Sequence, residues 1–150
     1  REKQKTKRLF GLSERQFRKT FNVASKSKGA TGQVFLELLE TRLDNIIFRL
    51  GFAPSRPAAR QIVSHGHVLV DGKKVNIPSY ELKIGQTVSL DAKAMAIPTV
   101  AKLLKAKDED VKLPVWLEKK AAVGKVARDP KREDILEPIS EQDIVEFYSR

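Results

Sequence analysis

SRPAARQIVSHGHVLVDGKKVNIPSYELKIGQTVSL, Ser55 to Leu90, is the stretch whose reading decides the fold. Ser55 suits an N-cap, and Pro57 falls in the first helical turn, where its missing N–H costs nothing. Ala59, Ile62 and Val63 share an apolar stripe at helical spacing, while Arg56 and Arg60, four apart, are expected on an exposed face. Gly66, between His65 and His67, is the expected left-handed stop. Val68 to Val70 then reads as a strand, Asp71-Gly72 is a strong hairpin turn, and Val75 to Ile77 is expected to return beside it. Ile84 to Thr87 predicts a second turn into the alternating Thr87-Val88-Ser89-Leu90. The stretch thus sets two arginines on a helix beside a hairpin whose tip carries Lys73 and Lys74.

Upstream, Gly32 to Leu50 is the longest helical signal. Phe35, Leu39, Leu43, Ile46 and Leu50 recur at three and four, which predicts one core helix or two broken near Thr41. Arg42 and Arg49 are then one heptad apart on roughly one side, and surface salt bridges to Glu40 or Asp44 explain them as well as a ligand does. Leu12 to Phe17 has the complete form of a helix start, with Ser13 as cap, Gln16 reaching back and Leu12 stapling onto Phe17. Phe17, Phe21 and Ala24 continue its buried stripe. Arg1 to Arg8 alternates charge so heavily that it shows no core face, and a solvated, frayed terminus explains it as well as a binding role.

Downstream, residues 91–98 are an ill-defined connection and Val100 to Lys107 a short helix. Val115-Trp116-Leu117 is expected to plug a hydrophobic gap, since a lone tryptophan is more often core than ligand platform. Val123 to Ala127 reads as one more strand. Ser140 and Asp143 set up a last helix whose apolar side is Ile144, Val145, Phe147 and Tyr148, and so apolar a face must dock on the helices of the N-terminal third.

One hundred and fifty residues, 41% of them hydrophobic, allow one packed domain or two small ones. There is no bilayer-length apolar run, and no signal-peptide pattern opens the chain. With no cysteine there is no disulfide framework, which suits a reducing cytosol. The 29 basic residues against 19 acidic ones give a net charge of +10. Ten of those basic residues, with only two acids, fall in residues 1–28, whereas residues 129–150 hold seven acids and three basic residues. A polyanion would meet the head and a basic protein the tail. No phosphate-loop, dinucleotide or nucleophile-elbow motif is present. His65 and His67 would need at least a third metal donor, and none is spaced to supply it. They are expected instead to cap a helix end or touch a phosphate.

The motif S-R-x-x-A-R-Q-x-V-x-H-G-H-x-x-V-D-G-K-x-V-N-I-P-S-Y resembles the RNA-binding module of the small-subunit ribosomal protein S-four family, of bacterial type. The opening REKQKTKRLFGLSERQFRK, then LLETRLDNIIFRLGFA, LPVWL and the closing IVEFYSR resemble the same family, in the same order. The resemblance implies an α+β fold: a mostly helical N-terminal subdomain, residues 1–40 completed by 128–150, packed with the C-terminal helix. Residues 41–127 form an inserted helix-and-hairpin RNA-binding module with a small, mainly antiparallel sheet. It implies a structural component of the small ribosomal subunit, not an enzyme, that binds small-subunit rRNA, nucleates assembly and contributes to translational accuracy. It places the protein in the cytoplasmic ribosome, with an organellar one as alternative, against neighbouring proteins including S-five and near the path by which mRNA enters. No cofactor, small-molecule substrate or membrane is expected. A further N-terminal arm normally precedes this point in the family, and any zinc site in that arm lies outside this sequence.

Charge and resemblance together mark Arg1, Lys3, Lys5, Lys7, Arg8, Arg15, Arg18, Arg42, Arg49, Arg56, Arg60, Gln61, His65, His67, Lys73 and Lys74 as candidate RNA-binding residues. Glu133, Asp134, Glu137 and Glu141 are the candidate protein interface. The Ser55–Leu90 stretch has no aromatic beyond Tyr80, so recognition of RNA shape and backbone is expected. The family usually has another basic residue after the first arginine of the helix. Here Pro57 and Ala58 follow, leaving more of the contact to Arg56 and Arg60. Similar modules are also appendages of RNA-modifying enzymes, although this chain is too short to add a catalytic domain. A repressor binding its own message through the same surface is the other alternative.

Overall fold

The computed structural model describes residues 2–105, 113–131 and 141–148. They fall into two compact units, one within Arg1–Glu40 and Pro130–Arg150, the other within Thr41–Asp129. The first contains helices α1 (Glu2–Phe10), α2 (Glu14–Ser25), α3 (Thr31–Glu40) and α8 (Glu141–Tyr148). The second contains α4 (Leu43–Arg49), α5 (Arg56–Ser64), β1 (Val68–Val70), β2 (Lys73–Lys74), β3 (Thr87–Leu90), α6 (Ala92–Met95), α7 (Pro98–Leu104), β4 (Leu117–Lys120) and β5 (Val123–Val126). The class is α+β.

In the first unit, α2 starts on the expected reciprocal cap: Gln16 N–H donates to Ser13 Oγ and Ser13 N–H to Gln16 Oε1. The core is aromatic. Phe17 and Phe21 meet Phe35 edge-on at 5.0 and 5.4 Å, and Phe21 stacks tilted on Tyr148 at 4.5 Å. Helix α8 packs on α1 and α3 and buries Ile144 among these rings. The charged head departs from the frayed terminus allowed above. It is helical from Glu2 to Phe10, because Thr6 and Phe10 are buried and Lys3 and Lys7 find a carboxylate partner in Glu14.

In the second unit, five antiparallel strands run in the order β2-β1-β3-β5-β4. Helices α4 and α5 supply Leu43, Ile46, Ile47, Leu50, Ala59, Ile62 and Val63 to a core shared with Val68, Val70, Val88, Leu90 and Val126 from the sheet. The hairpin turn is tight: Asp71 and Gly72 both have positive φ, 49° and 82°, as a two-residue loop between paired Val70 and Lys73 requires. The returning strand is therefore Lys73–Lys74, extended by one bond from Val75 N–H to Val68 O at 3.1 Å, and not a strand over Val75 to Ile77. Strand β4, Leu117–Lys120, was not expected; its lysines and glutamate carry no strand signal, and it is specified by pairing with β5. Leu50 lies so close over Gly124 that no Cβ fits there. Trp116 and Leu117 fill the core as expected, while Val115 stays exposed.

The long helical signal is broken into α3 and α4. Arg42 is extended (φ −60°, ψ 140°) and forms an isolated bridge with Glu81. The first amides of α4 are satisfied from outside the helix: Leu43 N–H donates to Tyr80 O at 2.8 Å and Asp44 N–H to Pro78 O at 3.1 Å. The break moves Arg42 off the face that carries Arg49, so the two do not project together as one continuous helix would make them. The ill-defined connection contains α6, capped by Asp91, whose Oδ1 accepts from Ala94 N–H at 2.8 Å.

Candidate nucleic-acid interface

Two arginines of the second unit, Arg42 and Arg60, converge on one carboxylate. Ser55 caps α5 through Ala58 N–H, which fixes Arg56 at the first helical position and Arg60 one turn on. Arg42 grips Asp44 with two hydrogen bonds, Nε to Oδ1 at 3.1 Å and Nη2 to Oδ2 at 3.0 Å. Arg60 Nε reaches Asp44 Oδ2 at 3.4 Å, and Asn45 N–H donates to Asp44 Oδ1 at 2.7 Å. Arg56 Nε donates to Asn45 Oδ1 at 2.9 Å, with its guanidinium 4.6 Å above the Phe48 ring. Arg42 and Arg56 are buried, whereas the Arg60 side chain is 34% exposed. Arg56 was expected on an exposed face. It is instead structural in its contacts, because the α5 N-terminus leans on α4 through Asn45 and Phe48. The bridge from Arg42 to Asp44 is likewise buried and not a surface pair.

The far end of α5 is built as tightly. Gly66 (φ 78°) donates to Val63 O and His67 N–H to Ile62 O, a six-to-one and five-to-two closure that satisfies the last carbonyls. His65 occupies the C-cap position, its backbone N–H donating to Gln61 O at 2.9 Å. His67 Nδ1 lies 3.2 Å from both oxygens of Asp91. The Asp91 carboxyl is held below the usual range by the Ala94 N–H, then by His67, with Lys74 adding its charge against the desolvation that raises it. Lys74 runs along Gly66, so that a Cβ there would sit 3.5 Å from Lys74 Cδ. Lys73 and Lys74 are both exposed, as is Gln61 on α5.

In the first unit, Glu14 gathers the cations: Lys3 at 2.7 Å, Lys7 at 2.9 Å and Arg18 at 3.7 Å. The Lys3 and Lys7 hydrogen bonds pull its carboxyl down to about 2. Tyr148 O–H donates to Glu14 Oε1 at 3.4 Å, and burial with the nearby Glu14 charge pushes the phenol up to about 12. Lys3 Nζ also lies 4.3 Å above the Phe147 ring. Lys3 and Lys7 are thus engaged and mostly covered. Lys5, Arg8, Arg15 and Arg18 are exposed, and Glu14, Arg15, Arg18, Lys19 and Asn22 line an open groove of ≈ 540 Å³.

Sequence reasoning overlooked the anchors Glu14, Asn45 and Asp91 and the groove residue Lys19. Asp44 entered only as a surface partner. An arginine two residues before an aspartate that precedes an asparagine was the available signal for the buried cluster. Arg1, Glu133, Asp134 and Glu137 lie outside the described residues, as does the side chain of Glu141, which opens α8.

Residues 1–40 match the ribosomal protein S4/S9 N-terminal domain, and residues 41–88 match the S4 domain. A Dictyoglomus turgidum protein named small ribosomal subunit protein uS4 is 55% identical over 100% of this chain and 72% of its own length. The chain belongs to the uS4 family. A uS4 protein of Mycoplasma mobile is 48% identical over 99% of this chain and 73% of its own length. That of Thermus thermophilus is 48% identical over 100% and 72%. Within the uS4 frame, the buried arginine cluster and the α5 closure both fall in the span that matches the S4 domain.

Proposed function

We propose that this chain is a structural, non-catalytic component of the small ribosomal subunit that binds small-subunit rRNA by shape and backbone, nucleates assembly and contributes to decoding accuracy. The observation that carries the reading is that exposed cations stand on braced elements. Arg60 is held by Asp44, and Lys73 and Lys74 stand on a two-residue turn. Fixed guanidinium and ammonium groups lose little entropy on meeting phosphates. Lys5, Arg8, Arg15 and Arg18 supply the same charge from the first unit. Gln61, His65 and His67 flank the contact, while Arg42 and Arg56 hold it in place from beneath. Arg1, Lys3, Lys7 and Arg49 add long-range attraction.

Identity along the whole chain to proteins named for the small subunit favours this reading over an enzyme appendage or a repressor. The acidic Glu133, Asp134, Glu137 and Glu141 then face a basic neighbour such as S-five, close to incoming mRNA, in a cytoplasmic ribosome. The test is binding to folded small-subunit rRNA and to duplex DNA of equal charge from 50 to 200 mM salt. The expected result is a strong preference for rRNA. In the Arg60→Ala, Lys73→Ala, Lys74→Ala variant the salt slope should flatten by about 2 to 3, at roughly 0.7–0.9 per lost phosphate contact. Equal binding of both nucleic acids, or an unchanged slope, would overturn it.

A further inference from the structure

A cleft lies between the end of α5 and the start of α7. It has a volume of ≈ 190 Å³, and Gln61, Ile62, His65, His67, Thr99 and Val100 are among the residues that line it. That volume is below the ~300–1,000 Å³ of small-molecule sites and suits one planar ring system. Ile62 and Val100 make a buried apolar floor, and Gln61 and Thr99 are exposed polar groups at its edge. The His65 and His67 rings stand 6.4 Å apart at 66°, and the Gly66 closure together with Asp91 fixes where both emerge.

We propose that this cleft receives a single unstacked RNA base, an adenine in best match, stacked on His65 and read by the Gln61 amide. The inference rests on the RNA-binding reading above and names a base-reading subsite within it. Two observations favour a base over a phosphate. Asp91 sets a carboxylate against the His67 ring, and a second anion there would be repelled. The floor is apolar, which a ring gains from covering and a phosphate does not. Imidazoles serve as stacking surfaces for splayed bases, and a glutamine amide can pair in two places with the edge of adenine. The expectation of backbone-only recognition changes accordingly: histidines supply the surface that the shortage of aromatics had denied.

The test follows backbone amide NMR signals of the full chain during titration with hexaadenylate and with an abasic ribose-phosphate hexamer of the same charge. Hexaadenylate should move Gln61, His65, Thr99 and Val100, and the abasic strand should leave them in place. His65→Ala should weaken hexaadenylate about five- to 150-fold, the span of one base–aromatic stack, and leave the abasic strand unaffected. Gln61→Leu, on the exposed face, should reduce the preference for adenine over uridine oligomers with the fold intact. Equal shifts with the abasic strand would identify a phosphate site and overturn the proposal. Silence at these four residues while folded rRNA still binds would overturn it too, and would leave the cleft to a protein neighbour and the rRNA reading standing. Loss of rRNA binding in the unaltered chain would instead defeat the broader reading.

Discussion

Replacing Arg56 and Arg60 one at a time separates a bracing arginine from a binding one. Arg56→Ala removes the Nε hydrogen bond to the buried Asn45 Oδ1. Deleting one partner of a buried hydrogen bond costs about 1–3 kcal/mol. The cation over Phe48 adds about 0.5–2 kcal/mol, at the upper end because the pair is covered. The sum is about 2–5 kcal/mol. At about 4–8 °C per kcal/mol for a unit below 100 residues, even the lower figure lowers Tm by roughly 8 °C. Arg60→Ala loosens Asp44 little, because Asp44 keeps both bonds from Arg42, the Arg60 contact is long at 3.4 Å, and the Arg60 side chain is already a third exposed. Its Tm should move by less than about 4 °C, since a partly exposed pair of such long geometry contributes about 0.5 kcal/mol or less. Its rRNA affinity should fall, with a salt slope shallower by about one. Differential scanning calorimetry and filter binding across salt read both quantities. Equal Tm losses in the two variants, or an unshifted Tm for Arg56→Ala, would refute the division.

Glu14 has a folded pKa near 2 against an ordinary value near 4.5, so its contribution is complete above about pH 4.5 and disappears as pH falls towards 2. Glu14→Gln should flatten the urea midpoint over that window, with a modest effect because the carboxylate is 40% exposed and salt screens it. The same variant releases Lys3 and Lys7 and should steepen the salt dependence of RNA binding. Gly124→Ala should destabilise by about 1–3 kcal/mol, measured by chemical denaturation, since the new methyl meets Leu50 in a packed core. Asp91→Ala loses the charge opposite His67 and the α6 cap; amide exchange should speed up at Ala94, by about tenfold for a cap worth about 1 kcal/mol or somewhat more.

Local chemistry made part of this fold legible. Ser13 with Gln16, Ser55 before a proline, Gly66 between histidines and Asp71-Gly72 each specify a backbone conformation within a few residues. Their geometry follows from sequence without knowledge of the rest. Elements specified by distant partners were not legible. Strand β4 depends on β5 for its hydrogen bonds, and α1 depends on Glu14 and on α8 for a covered face. The returning hairpin strand was placed too late because Val75 and Ile77 carry β-branched side chains. The two-residue turn sets the pairing at once and leaves that role to two lysines. In the candidate interface, charge indicated which residues are cationic but not which are buried. Burial of Arg56 follows from Asn45, eleven positions away, and no periodicity links them.

That difference bears on how one small surface combines grip with selectivity. If every arginine lay in water, each would add attraction to any polyanion, and the chain would bind duplex DNA and rRNA alike. Arg42 and Arg56 are withdrawn from that pool and turned into scaffold, with Asp44 and Asn45 as the joint. The remaining cations are fewer but fixed, and a fixed array rewards only a phosphate path of matching shape. Asp44→Asn therefore discriminates between the two uses of charge. It deletes a negative charge, which by Coulomb attraction alone would tighten RNA binding. By unseating Arg42 and loosening Arg60, it should instead weaken binding to folded rRNA and narrow the preference over duplex DNA. Tighter and still selective binding by a folded Asp44→Asn chain would show that positive charge, and not its placement, governs this surface.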